Sequence, residues 1–146
     1  IQIYGRQNNE RVFKWVDGKY IEKHKNIDKY KVFVPAANGS GAIGEVLSTP
    51  LIGEPLIGHT QTFISLGSFD TKNEATALYK YLKTKFARAM LGIKKTTQNN
   101  KTAETWSKVP IQDFTANSDI EWSKSIPEID KQLYKKYGLD VKELVC

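Results

Sequence analysis

The residues of this chain that can do chemistry are cations and amides rather than nucleophiles or metal ligands. His24 and His59 are the only histidines, and Cys146, the last residue, is the only cysteine. Neither histidine stands at ligand spacing from a cysteine or a second histidine, so the sequence gives a metal site no support. The terminal cysteine excludes an internal disulfide and a thiolate zinc site. No nucleophile elbow marks a serine hydrolase, and Glu45 and Glu54 lack the acid-x-Lys grouping that would hold magnesium beside a lysine. The small-residue run Asn38-Gly39-Ser40-Gly41-Ala42-Ile43-Gly44 has neither the Lys-Ser/Thr of a P-loop nor dinucleotide glycine spacing. It reads as a loop that a ligand can order. No catalytic centre is expected in this chain.

What remains is binding chemistry. Lys94-Lys95-Thr96-Thr97-Gln98-Asn99-Asn100-Lys101 puts phosphate-neutralising cations beside amides able to contact base edges. A second cationic set, Arg6, Lys14, Lys19, Lys23 and Lys25, precedes it, and Asn38, Ser40, His59 and Gln61 offer polar groups from loops and strand ends. The candidate DNA-binding residues are therefore Arg6, Lys14, Lys19, Lys23, Lys25, Asn38, Ser40, His59, Gln61, Lys94, Lys95, Gln98, Asn99 and Lys101. Taken alone, each group also reads as ordinary solvated surface, and His59 as a strand-end residue.

The formal net charge of +6 is unevenly spread. Residues 1–35 carry a net +4 and residues 71–110 a net +7, while 36–70 hold no Lys or Arg and 111–146 are net −2. Two basic segments suit a polyanionic partner, with the contact surface expected over residues 6–31 and 94–106. At 146 residues the chain fits one domain with a working core. No apolar run approaches the ~20 residues that cross a bilayer. No signal segment opens the chain, and Ile1 in place of methionine fits a piece of a longer protein. These features suit the cytoplasm.

The elements that position these residues read as mixed α and β. Arg11–Val16 and Tyr20–Glu22 flank Asp17-Gly18, a two-residue hairpin signal. Its apolar part is Val12, Phe13, Trp15, Val16, Tyr20 and Ile21. Tyr30–Pro35 is a buried strand stopped by proline. Short strands are expected at Glu45–Ser48 and near Leu56-Ile57, and a longer one at Thr60–Gly67. Thr71 and Glu74 fit a capping box. Beyond them Ala75, Leu78, Leu82, Phe86, Met90 and Ile93 form an apolar stripe, so one amphipathic helix is expected over about 71–91, with its stripe in the core. Val109-Pro110-Ile111 is expected to be extended. Pro127 opens a further helix ending at Gly138, and Asp140 can cap a short last one. The fold class is α+β: a mostly antiparallel sheet, one long helix and a helical tail. Residues 1–115 form the binding domain and 116–146 the tail packing on it.

Several stretches carry a resemblance. "YKVFVPAANGSG", then "HTQTFISLGSFDTKNEATALYKYLKTKFARAMLGIKKTTQNN", "WSKVPIQDF" and the ending "SDIEWSKSIPEIDKQLYKKYGL" resemble the C-terminal target-recognition region of type II restriction-modification proteins with an adenine-specific DNA methyltransferase. The likeness spans most of residues 28–139 and consists of structural signatures, not a catalytic motif. It implies a target-recognition-domain-like fold that chooses a site on double-stranded DNA. It also implies an N-terminal methyltransferase or nuclease part elsewhere in the same protein, using S-adenosylmethionine and Mg2+. The family's Asn/Asp-Pro-Pro-Tyr/Phe motif is absent here, so no cofactor is expected in this chain and no membrane partner. The alternative is a protein-interaction domain that docks a methyltransferase or nuclease subunit with little DNA contact.

Overall fold

A computed structural model describes residues 1–22, 24–36, 49–94 and 106–139. The chain runs through β1 (Gln2–Gln7), β2 (Glu10–Trp15), a 3-10 turn (Gly18–Tyr20), β3 (Tyr30–Pro35), β4 (Leu51–Gly53), β5 (Ile57–His59) and β6 (Phe63–Phe69). Among the described residues the helices α1 (Lys72–Leu82), α2 (Lys85–Lys94) and α3 (Ile126–Lys136) follow. The α+β class holds, but the strands form two three-stranded sheets, ordered β2-β1-β5 and β4-β3-β6. All pairings are antiparallel except β1 with β5.

Strand alternation stacks these parts as sheet, sheet and helices. From the middle strand β3, Val32 and Val34 point toward α1, α2 and α3 and join Leu78, Tyr81, Leu82, Phe86, Leu91, Ile129 and Leu133 in the main core. Phe33 points the other way, joining Tyr4 of β1 and Phe63 of β6 in a second, smaller cluster. The rings there are close: Tyr4 lies 4.3 Å from Phe63 and 5.6 Å from Phe33 between centroids. Gly53 is required beside them, because a Cβ at that position would sit 2.7 Å from the Phe33 ring. A bulge between β3 and β6 adds one residue to β6, with Gly67 at φ +83°. The extra residue keeps Phe69 on the same side as Leu66, facing the helices.

Several expectations are corrected. The N-terminal hairpin turns at Asn8-Asn9, not at Asp17-Gly18: both asparagines have positive φ (53° and 66°), and β1 pairs with β2 from Gln2↔Trp15 to Gln7↔Glu10. Asp17 is extended (φ −62°), and its carboxylate accepts from the Lys19 amide to cap the 3-10 turn. Asparagine tolerates the left-handed region, and in this case the preceding strand outcompeted the Asp-Gly signal. The strand expected at Thr60–Gly67 runs Phe63–Phe69, after a turn closed by the Phe63 amide donating to Thr60 O.

The single helix expected over 71–91 is two. Thr71 caps α1 by accepting from the Glu74 amide. The break falls at Lys83-Thr84, where the fully buried Thr84 hydroxyl donates to Tyr81 O at 2.6 Å and accepts from the Ala87 amide at 3.1 Å. Asp130 of α3 completes the start of α2: its carboxylate oxygens accept from the Lys85 and Phe86 amides at 2.9 and 3.0 Å. The stripe residues Ala75, Leu78, Leu82 and Phe86 are buried as expected. The helix opened by Pro127 is also present, with a reciprocal capping box between Ser125 and Glu128 and Gly138 at φ +64° just past its end. Val109–Ile111 joins no sheet. The strand expected at Glu45–Ser48 and the last helix expected from Asp140 lie outside the described residues. Among the described residues no helix is long and apolar enough to cross a membrane.

Candidate nucleic-acid interface

The hairpin β1–β2 leaves large apolar side chains exposed. Opposite residues of an antiparallel pair share a face, so Gln2/Trp15, Tyr4/Phe13 and Arg6/Arg11 form one row and Ile3/Lys14 belongs to the other. Within this row Tyr4 is buried, while Phe13 is 47% exposed and Trp15 is 77% exposed. Tyr20, on the 3-10 turn that follows, is 74% exposed, and the Lys19 ammonium lies 5.0 Å from its ring centroid. Arg6 is exposed in the same row as Phe13 and Trp15, Lys14 is exposed on the opposite face of β2, and Lys19 is exposed on the 3-10 turn. Arg11 is committed to the fold: its guanidinium donates to Thr49 O at 2.8 Å and sits over the Phe63 ring. β2 is an edge strand, and its charges also guard that edge against strand addition.

Other expected site residues fall nearby or outside the description. Lys25 is exposed in the turn before β3. His59 and Gln61 lie at and just beyond the end of β5, where they line a cleft of about 460 Å³ together with Tyr20, Glu22 and His24. The His59 Nδ1 faces Thr60 O at 2.9 Å, and its ring meets Phe33 edge-on at 5.4 Å. Lys94 ends α2, but its side chain lies outside the described residues, as do Lys23, Asn38, Ser40, Lys95, Gln98, Asn99 and Lys101. The structure thus groups Arg6, Lys14 and Lys19 on the hairpin, and His59 with Gln61 at the cleft.

Lys31 is a correction. It falls within the contact surface expected over residues 6–31, yet it is 1% exposed. Its Nζ donates to Ile27 O at 3.2 Å and Glu54 O at 3.0 Å, and burial lowers its pKa to about 8. This lysine ties the turn before β3 to the turn before β5 and cannot reach a phosphate. Phe13, Trp15 and Tyr20, which the sequence gives only as part of the hairpin's apolar set, are exposed. For Trp15 the signal is the Asn8-Asn9 turn, whose register sets it opposite the polar Gln2.

Among the described residues no group of three or more His, Cys, Asp or Glu side chains could hold a metal ion. Comparison with protein-family models, curated proteins and solved structures gave no significant match.

Proposed function

We propose that this chain is the sequence-reading module of a bacterial restriction-modification enzyme. It holds duplex DNA for a methyltransferase or nuclease part elsewhere in the same protein, and it has no catalytic centre of its own. The observation that carries the reading is the exposure, along the hairpin and the turn after it, of three cations, Arg6, Lys14 and Lys19, together with the rings of Phe13, Trp15 and Tyr20. Cations neutralise phosphates and release counterions, whereas flat rings contact sugars and bases. Lys25 is a further exposed cation, and the resemblance over residues 28–139 supplies the restriction-modification context. S-adenosylmethionine and Mg2+ belong to the catalytic part.

Binding to mixed-sequence duplexes, measured by fluorescence anisotropy across a salt series, tests the reading. Each phosphate contact contributes about −0.9 to the slope of log K against log salt. Replacing Arg6, Lys14 and Lys19 together with alanine is expected to flatten that slope by about 2 to 3 and to weaken binding to all sequences alike. Unchanged affinity and slope would remove the hairpin from the interface.

One observation favours the second reading, a domain that docks a methyltransferase or nuclease subunit. Ile111 is 98% exposed, at the end of a segment whose Pro110 carbonyl is held by the Tyr81 hydroxyl. Co-purification with such a subunit that Ile111→Asp abolishes, with no duplex retained, would decide for it.

A further inference from the structure

Past its pairing with β5 the N-terminal hairpin continues as a two-stranded ribbon. β5 pairs with Gln2, Ile3 and Tyr4 of β1, whereas β1 and β2 stay paired out to Gln7↔Glu10. Among the described residues no third strand accompanies that outer part. The base of the ribbon is braced. A Cβ at the buried Gly5 would sit 2.9 Å from Thr60 Cγ2, and the Thr60 amide donates to Tyr4 O. The Arg11 guanidinium is held by Thr49 O and lies over the Phe63 ring. Beyond Gly5, the run Arg6, Gln7, Asn8, Asn9 and Glu10 is exposed throughout. Three residues at about 3.4 Å each carry the turn about 10 Å past Gly5.

A tight reversal asks little of its side chains. Asn8 and Asn9 both have positive φ, 53° and 66°, a conformation that glycine enters at less cost. Two carboxamides stand there instead, and Gln7 adds a third. Among the described residues, no side chain from Arg6 to Glu10 makes a hydrogen bond or ion pair. A carboxamide sets a donor beside an acceptor. That matches the adenine edge in the major groove, where N7 accepts beside the N6–H2 donor. Guanine presents two acceptors there, cytosine a donor alone, and thymine an acceptor beside a methyl group. Glu10, opposite Gln7 on the same face, makes the tip a poor phosphate grip, since a carboxylate is repelled by phosphates and finds its donors on base edges. The dimensions agree as well: the major groove is about 12 Å wide and about 8.5 Å deep, and it admits a two-stranded ribbon.

We propose that the hairpin tip, residues 7–10, enters the major groove of duplex DNA and that the carboxamides of Gln7, Asn8 and Asn9 read adenine there. The inference rests on the DNA-reading role proposed above and names residues that choose the sequence, in a stretch outside the resemblance over residues 28–139. Arg6, next to the tip on β1, offers its charge to the phosphates that flank the groove.

Selection by the 146-residue chain from a pool of randomised duplexes yields a preferred duplex. Fluorescence anisotropy then compares that duplex with a scrambled one. Gln7→Ala combined with Asn8→Gly and Asn9→Gly removes all three carboxamides and keeps a turn that glycine accepts. This variant is expected to lose at least about fivefold of the preference for the selected duplex. Its affinity for the scrambled duplex and its salt slope should stay as they are, because no cation is removed. Replacing the selected adenines with 7-deazaadenine, which lacks the N7 acceptor, is expected to weaken wild-type binding and to leave the variant unaffected. Gln7→Ala alone, outside the turn, gives a smaller loss of preference should the triple variant unfold. Preference retained in both variants, an equal loss for both duplexes, a flattened salt slope, a lost preference confined to G·C pairs, or indifference to 7-deazaadenine would each overturn the tip assignment and leave duplex binding standing. A wild-type chain that retains no duplex, or enriches no sequence from the pool, would instead strike the sequence-reading role itself, and the tip assignment with it.

Discussion

The helical side and the hairpin side of this protein satisfy their side chains in opposite ways. On the helical side even the polar groups are tied up. Asp130 and Thr84 close the start of α2, and Lys80 donates to the carbonyls of Trp122 and Lys124. Gln112 joins the Tyr137 hydroxyl to the Lys136 ammonium. On the hairpin side large rings stand in water and the nearby cations Arg6 and Lys14 point outward. Interior packing explains the first region. The second keeps apolar surface exposed among positive charges, an arrangement that stability does not require and a polyanion can use.

The sharpest way to break the helical side is at Asp130. Removing its carboxylate strands the Lys85 and Phe86 amides at a helix start that is otherwise enclosed. Asp130→Ala is expected to cost about 3 kcal/mol, read as a lowered urea midpoint. Asp130→Asn, which keeps one acceptor, should lose roughly half of that. A hairpin substitution of equal cost would erase the contrast between the two sides.

This same contact shows where the sequence stops being legible. The stripe from Ala75 to Phe86 is a local pattern and correctly marked a core-facing helix. The break at Thr84 is not local, because the carboxylate that stabilises it arrives from Asp130, 45 residues beyond Lys85. Tyr30–Pro35 and the helix opened by Pro127 were readable for the opposite reason, as their stop and start signals lie within a few residues. The hairpin was misplaced because Asn8-Asn9 and Asp17-Gly18 both offer turn chemistry. Only strand pairing, a tertiary outcome, chose between them. At the candidate site, exposed cations on the hairpin were legible as cations. The burial of Lys31 and the exposure of Trp15 were not: the first depends on which face of β3 meets the other sheet, and the second on how far along β2 that packing reaches.

Lys31 lies between the two sides and gives the next largest effect. Lys31→Met leaves the carbonyls of Ile27 and Glu54 without their donor and is expected to cost about 1–3 kcal/mol at pH 7. Its pH dependence has a definite sign. Burial lowers the folded pKa from 10.5 to about 8, so between these values the unfolded chain binds more protons than the folded one. Lys31 therefore makes stability rise as pH climbs from about 8 toward 10.5, with a slope of at most about 1.4 kcal/mol per pH unit. The difference between wild-type and Lys31→Met unfolding curves isolates that slope. A difference that stays flat over this interval would mean that the ammonium is not desolvated in the folded protein.

The smallest expected effect on stability is the one that most sharpens the comparison. Trp15 is 77% exposed and stands opposite Gln2 on an edge strand, so little apolar area is lost on truncation. Trp15→Ala should change the unfolding free energy by less than about 0.5 kcal/mol. If the ring serves the interface instead, the same substitution should weaken duplex binding about tenfold, near 1.4 kcal/mol, with the salt slope unchanged because no cation is removed. Chemical denaturation and anisotropy on one preparation give both numbers. A large stability loss would make Trp15 part of the core after all, and unchanged binding would leave the ring without a role at the DNA surface. Loss of binding at constant stability and constant salt slope is the one outcome that separates a contact ring from both a packing residue and a phosphate grip.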